Sequence, residues 1–276
     1  MIEPKDVTII IPHYGNSGEA EYSLDRCLES LKETWSGKII LAVNGGNCTW
    51  HTDYDEQFSL IRVQEQGQCK ATNAAVATTN TPYILITNDD MIFPSGWFEK
   101  LVTDLPVKEG SPICVSPKLI EPRPGAPTFE TYFCGGAGGD FDKEKFLAYA
   151  NLIRESETRT GFNFPVLMSR SLWDTVGGYD INFDPWGSNS DSDLEYKIKL
   201  AGVQPLQKMD SVVYHFSQTS GTFTPENRSH WERNFAYFAE KWGFPRTDAG
   251  IWEASFDIPK PPLRIFTPEW EGKYAQ

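Results

Sequence analysis

Two carboxylates stand where an apolar strand must end. Tyr83-Ile84-Leu85-Ile86-Thr87 is a continuous hydrophobic run, the pattern of a strand buried on both faces of a parallel sheet, and Asn88-Asp89-Asp90 follows it directly. Such sheets bind ligands beyond the carboxyl ends of their strands. Charge buried there is costly unless something compensates it. A hard divalent cation carrying a diphosphate does so well, because ions such as Mg2+ take one or two carboxylates plus phosphate oxygens. The competing reading is a solvated turn after a strand.

Three further features fall at predicted strand ends. Pro12-His13-Tyr14-Gly15-Asn16 closes the first strand, Asn44-Gly45-Gly46 closes the second, and His215 follows Val212-Val213-Tyr214. In a parallel sheet these ends converge on one crevice. His215 can join Asp90 on a metal through a neutral imidazole, or it can be an ordinary hydrogen-bonded histidine. A second acidic cluster, Asp191-Ser192-Asp193, precedes a helix whose inward side is Leu194, Ile198 and Ala201. An Asp just before a helix is normally an N-cap worth about 1 kcal/mol. It can equally be a general base, provided that its carboxylate comes within about 3 Å of an attacking hydroxyl. Spacing leaves both readings open. Phe183, Trp186, Phe216 and Phe223 fall in nearby loops, where aromatics either stack on a sugar ring or pack into the core.

The elements that must position these groups alternate along the N-terminal half. Strands are predicted at 7–12, 38–43, 60–63, 83–87 and 113–116. Helices are predicted near 22–31, with Ser17 or Ser23 as cap, and at 68–79 and 95–105. This alternation predicts a parallel sheet covered by helices on both faces. Residues 121–140 shift to Pro and Gly and form a long loop of the kind that is often functional. The second half is read as helix near 141–159, strand 165–168, helix 171–176 stopped by Gly177-Gly178, helix 191–201 stopped by Gly202, strand 211–214 and helix 225–242. Residues from 244 onward, rich in proline and aromatics, are expected to pack on the surface as extended chain.

With 276 residues, 39% of them hydrophobic, the chain can bury a sizeable core. A formal charge of −13 argues against a nucleic-acid partner, yet it is compatible with a nucleotide-bound substrate held through a cation. Cys27, Cys48, Cys69, Cys114 and Cys134 form no Cys-x-x-Cys pair, which favours reduced thiols in a cytoplasmic setting and disfavours structural zinc. No apolar run approaches 18 residues, so no transmembrane segment is expected. The Asn47 and Asn227 sequons read as chance matches. Gly136 to Phe141 imitates a dinucleotide loop but lacks its third glycine, and neither a phosphate-binding Gly-Lys-Ser/Thr loop nor a Gly-x-Ser-x-Gly elbow occurs.

Taken in order, "VTIIIPHYGN", "SLDRCLESL", "AVNGGN", "EQGQCKATNAAV", "YILITNDDMIFPSGWFEKL", "FPVLMSRSLWDTVGGYD", "DSDLEYKIKLAG" and "VVYHF" resemble a family 2 glycosyltransferase with the GT-A fold, over about residues 7–218. The resemblance implies an α/β protein of GT-A type, with a mostly parallel central sheet flanked by helices (the nucleotide-diphospho-sugar transferase fold). It implies a single domain over 1–243, with a nucleotide-binding half at 1–118 and an acceptor-binding half at 119–243, followed by an extension at 244–276. It also implies an inverting, metal-dependent transfer of a sugar from a nucleotide-diphosphate donor to an acceptor hydroxyl on a glycan, lipid or protein-linked saccharide, as in polysaccharide biosynthesis. Asp90 matches the second Asp of the family's Asp-x-Asp metal motif, Asn88 replaces the first, and His215 matches the histidine that completes the shell around Mn2+ or Mg2+. Pro12, Tyr14, Asn44, Gly67, Lys70, Asn88 and Asp89 match segments that approach the nucleotide. Asp191 matches the catalytic base, with Asp193 as the fallback. Relatives often act on membrane-bound acceptors, so a cytoplasmic protein with peripheral membrane attachment fits the resemblance. Two rivals are a sugar nucleotidyltransferase, whose Gly-rich, Arg-containing loop after the first strand is missing, and a non-catalytic carbohydrate- or nucleotide-binding protein of the same fold.

Overall fold

A computed structural model describes residues 2–15, 17–45, 57–106, 108, 110–124, 129–217, 219, 224–248, 250 and 253. The readings made above for Asn16, Gly46, Asn47, Cys48, Phe223 and most of the tail beyond 244 lie outside the described residues. Strands β1 (Val7–His13), β2 (Lys38–Asn44), β3 (Phe58–Val63) and β4 (Tyr83–Ile86) alternate with helices α1 (Gly18–Thr34) and α2 (Gln68–Ala77), as the hydrophobic pattern requires. Ser17 is the cap that α1 uses, its hydroxyl accepting from Ala20 N at 3.1 Å. Then follow β5 (Met91–Ile92), α3 (Trp97–Val102), β6 (Cys114–Glu121), β7 (Glu130–Thr131), α4 (Lys143–Leu152), β8 (Thr158–Thr160), β9 (Val166–Ser169), α5 (Arg170–Val176), α6 (Ser190–Leu200), β10 (Leu206–His215) and α7 (Arg228–Trp242).

The ten strands among the described residues join one sheet, with the path β3-β2-β1-β4-β9-β6-β10-β5 and with β7 paired to β6 and β8 to β10. Pairing is parallel from β3 through β4, and again between β6 and β10. β9 runs antiparallel to both β4 and β6, so the sheet is more mixed than a simple βα alternation predicts. The helix expected over 141–159 stops at Leu152, because the chain then adds β8 antiparallel to β10. β10 begins at Leu206, before the expected strand, and carries a register shift between Lys208 and Val212.

The alternation of side chains explains why the central strands are apolar throughout. Ile9, Ile11, Leu41 and Leu85 face the layer of α1 and α3, with Leu24, Leu28, Trp35 and Trp97. Ile10, Ile40, Ile84 and Ile86 face the layer of α2, α5, α6 and α7, with Ala75, Trp173, Leu194, Ile198 and Phe238. A third cluster packs Phe146 and Ala150 of α4 on Ile120, Tyr214 and Phe216. Successive residues bury opposite ways, as the period of a strand dictates.

Strand order reverses beside β1, since β2 and β3 lie on one side of it and β4 on the other. The carboxyl ends of β1 and β4 therefore flank the point where ligands bind in such sheets. One buried amide locks the helix layer around that point. Asn73 of α2 donates to Tyr179 O and accepts from Tyr179 N, each at 2.9 Å, with no exposure to solvent. Asn73→Ala would strand both backbone groups, and a loss of at least about 2 kcal/mol in unfolding free energy is expected from urea titration. A loss below about 0.5 kcal/mol would show that the pair does not lock the layers.

Candidate active site

A cleft of about 370 Å3 opens over the carboxyl ends of β1, β2, β4 and β10. That size suits a small-molecule site. Pro12, Tyr14, Asn44, Asn88, Asp89, Asp90, Asp191 and His215 all line it. Four strand ends distant in sequence thus converge, because parallel pairing carries each apolar run to the same edge. Gly67 and Lys70 are not among its lining residues; their neighbours Gln66 and Gln68 are. Gly67 begins α2 from behind, with its N–H on Asn44 Oδ1 at 3.0 Å, and the Lys70 ammonium is paired with Glu65. Asn44 is occupied on both sides, since its amide group also donates to His13 O at 2.9 Å. It braces β1, β2 and the start of α2.

The Asn88-Asp89-Asp90 corner divides its charges between two histidines. Asp89 Oδ2 is 2.6 Å from Nδ1 of His13, an imidazole wholly shielded from solvent whose Nε2 lies 3.3 Å from Glu21. Burial raises the Asp89 carboxyl above its usual range, and His13 only partly offsets this. Asp90 Oδ2 accepts from the Thr219 hydroxyl at 3.2 Å. Asp90 Oδ1 is buried without an aligned donor, although His215 Nε2 stands 3.1 Å away. On its far side, His215 Nδ1 meets Glu121 Oε1 at 2.7 Å. Burial pulls the imidazole pKa down, but Asp90 and Glu121 outweigh it and raise it to about 10. Burial likewise pushes Asp90 up, and His215 more than reverses that, leaving the carboxyl below its ordinary value.

These residues fit a divalent cation. A buried carboxylate oxygen without an aligned donor stands beside an imidazole nitrogen, at the roughly 3 Å separation of adjacent ligands around an octahedral ion. Glu121 supplies the carboxylate that commonly fixes the tautomer of a ligating histidine. Among the described residues no group of three or more His, Cys, Asp and Glu side chains makes a complete cage, so further ligands would come from substrate or water. Glu121, Gln66 and Gln68 were not singled out in the sequence. Glu121 carried a usable signal, being an acid that closes the apolar strand β6, just as Asp89 and Asp90 follow β4.

The two acids of the second cluster part company. α6 starts at Ser190, with Asn189 in the cap position at φ 64°, so Asp191 lies inside the first turn and is not the N-cap. Its side chain is open to the cleft, and Oδ1 accepts from Ser192 N at 2.8 Å. Although the residue keeps solvent exposure at the cleft, the protein atoms crowded around its carboxylate push the pKa upward. Asp193 points away into the protein, 1% exposed, where its carboxylate meets Lys241 at 3.0 Å, Lys197 at 3.4 Å and the Trp242 indole N–H at 2.8 Å. Asp193 is therefore an anion paired inside the protein, and it does not line the cleft. Of the aromatics, Trp186 lines the cleft, with its ring 6.1 Å from that of Tyr14. Phe183 and Phe216 are buried core residues.

The model of glycosyl transferase family 2 matches residues 8–118, the segment from β1 to β6. Solved structures share the fold, among them the following two. One is GalNAc-T7 with UDP, GalNAc and Mn2+, at TM-score 0.53 and 17% identity, covering 76% of this chain and 42% of that one. The other is the mannosyltransferase PcManGT from Pyrobaculum calidifontis in complex with GDP-Man and Mn2+, at TM-score 0.51 and 17% identity, covering 87% and 65%. This chain thus spans less than two thirds of the length of either. No curated protein sequence matches it significantly. The fold is that of GT-A glycosyltransferases, and residues 8–118 match the glycosyl transferase family 2 model.

The division between the two acids of α6 can be checked by stability. Asp193→Ala, which leaves Lys197 buried without its carboxylate, is expected to cost about 3–5 kcal/mol in chemical denaturation. Asp191→Ala should stay within about 0.5 kcal/mol of the parent. Equal costs would contradict the division.

Proposed function

We propose that this chain transfers a sugar from a nucleotide-diphosphate sugar to an acceptor hydroxyl, by direct displacement with inversion at the anomeric carbon. The observation that carries this reading is the shared cleft: Asp191, an open carboxylate, lines the same cavity as the buried pair of Asp90 and His215. The family match and the nucleotide and Mn2+ bound by both structural relatives support it. Asp191 accepts the proton of the attacking hydroxyl, and its raised pKa makes it a better base than a fully solvated carboxylate. Pro12 and Tyr14 hold the nucleoside end, with Asn44 bracing the strand ends beneath it. Asp90 and His215 would hold Mn2+ or Mg2+, which supplies charge neutralisation for the leaving diphosphate. The acceptor is a saccharide hydroxyl, carried on a glycan, lipid or protein, and the wall from Pro185 to Asn189 with Trp186 receives it. Residues 1–243 act as one catalytic unit, with 244–276 following it in the sequence. Among the described residues no helix is long and apolar enough to cross a membrane.

Asp191→Asn should lower kcat by about 10²–10⁴-fold while leaving donor affinity in calorimetry within about twofold. Retained turnover would reject the base. The ionised carboxylate is the active form and its pKa is raised. The acid limb of the pH profile should therefore lie above the ordinary Asp value of about 4, with activity rising with pH through it. A limb at or below that value would contradict the shift.

Metal removal tests the other half of the site. Chelation with EDTA should abolish donor binding and turnover, and added Mn2+ should restore both. Asp90→Ala should bind donor equally weakly with and without Mn2+. Glu121→Gln, which only disturbs the histidine tautomer, should weaken Mn2+ affinity by about 10–100-fold and be rescued by excess metal. Metal-independent donor binding by the parent protein would refute the assignment.

A further inference from the structure

The loop that leads into Asp191 is tied down at two places. Residues 185–190 line the cleft and run directly into the first turn of α6. From α7, the buried amide of Asn234 donates to Phe183 O at 2.7 Å and to Ser188 O at 2.9 Å. The second tie comes from the opposite half of the chain. α2 begins after Gly67, which has no side chain to cap it, so its first-turn amides need an acceptor from elsewhere. Asp184 provides it. Its Oδ1 accepts from Cys69 N at 3.0 Å and its Oδ2 from Lys70 N at 3.1 Å. A carboxylate at the amino end of a helix also gains from the helix dipole.

Glycine at position 67 makes room for this contact. A Cβ built there would lie 2.5 Å from Asp184 Oδ2, although the extended backbone at φ 168° would accept any residue. Gln66 and Gln68, on either side of Gly67, line the cleft. The same contact therefore joins the wall formed by the start of α2 to the wall that ends in Asp191.

We propose that Asp184 is a positioning residue: by binding the first-turn amides of α2, it sets the register of the Asp191-bearing loop against the nucleotide half of the cleft. Its catalytic consequence rests on the glycosyl-transfer reading, whereas the clasp itself belongs to the unliganded protein. Burial raises the Asp184 carboxyl to about 6, against the pull of the Cys69 and Lys70 amides. The charged and titratable groups around it are the Cys69 thiol and Lys70 ammonium of α2 and the Arg233 guanidinium of α7, which donates to Asp184 O at 2.8 Å.

The test is hydrogen exchange of the full chain, with Asp184→Asn to remove the charge and Gly67→Ala to push the carboxylate off from the other side. At pH 8 both variants should exchange amides 184–190 about tenfold faster or more, while β1 and β4 keep their protection. With donor and Mn2+, kcat should fall by about 10²-fold in both variants, with donor affinity changed less than about threefold. Parental loop protection in both variants overturns the proposal, as does a loss of kcat without a loss of protection. If one variant fails to fold, the other decides. If the parent protein turns over no sugar donor, the functional reading fails, and the exchange arm still decides the clasp.

Discussion

Compensation of buried negative charge at the end of β4 is the constraint on which the rest depends. Two adjacent aspartates emerge from a strand covered on both faces, where an unpaired carboxylate would be strongly disfavoured. The chain answers with one histidine for each: His13 from β1 for Asp89, and His215 from β10 for Asp90. Both come from strand ends, so the charge balance itself requires the sheet order that brings β1, β4 and β10 to one edge. Each histidine is backed by a second acid, Glu21 or Glu121. The result is two short relays that point inward to the corner and leave Asp90 Oδ1 without an aligned donor.

A site of this kind needs two walls held at a fixed distance, and the fold builds them from different halves of the chain. The first is the β1–β4 region with α2, within the segment that matches the family model. The second is the loop before α6, supported by α7 through Asn234 and by α2 through Asp184. β9 inserts between β4 and β6 in the antiparallel sense and so delivers α5 and the Gly177-Gly178 turn beside α2, where Asn73 grips Tyr179. Backbone-to-side-chain bonds of this type resist sliding better than apolar contact, because any shift strands a buried polar group.

How much of this was readable in the sequence follows from which physics is local. The central strands were readable since burial on both faces leaves a continuous apolar run, and the same runs mark their own ends, which is why Asp90, Asn44 and His215 could be picked out before any coordinates. The antiparallel entry of β9 was not readable, because a four-residue apolar run has the same pattern in either direction. β5, β7 and β8, of two or three residues each, are too short to carry a period. Asp191 and Asp193 sit two residues apart on a helix and face differently, and only the positions of Lys241 and Trp242, some fifty residues on, decide which is buried. Asp184 gave no sign at all: its role is set by the absence of a side chain at Gly67, more than a hundred residues earlier.

Charge also explains why metal and donor should bind as a unit. Asp89, Asp90, Glu121 and Asp191 all line the cleft, in a chain of formal charge −13. A diphosphate entering alone would meet repulsion from these carboxylates at short range. A divalent cation held by Asp90 and His215, as proposed, would reverse the local field, so that what repels the diphosphate would attract it. By linkage, the donor must strengthen metal binding by the factor by which metal strengthens donor binding. Were Asp90 and His215 to hold the cation, as proposed, phosphate and water would be needed beside them, and such a site would be suited to that coupling.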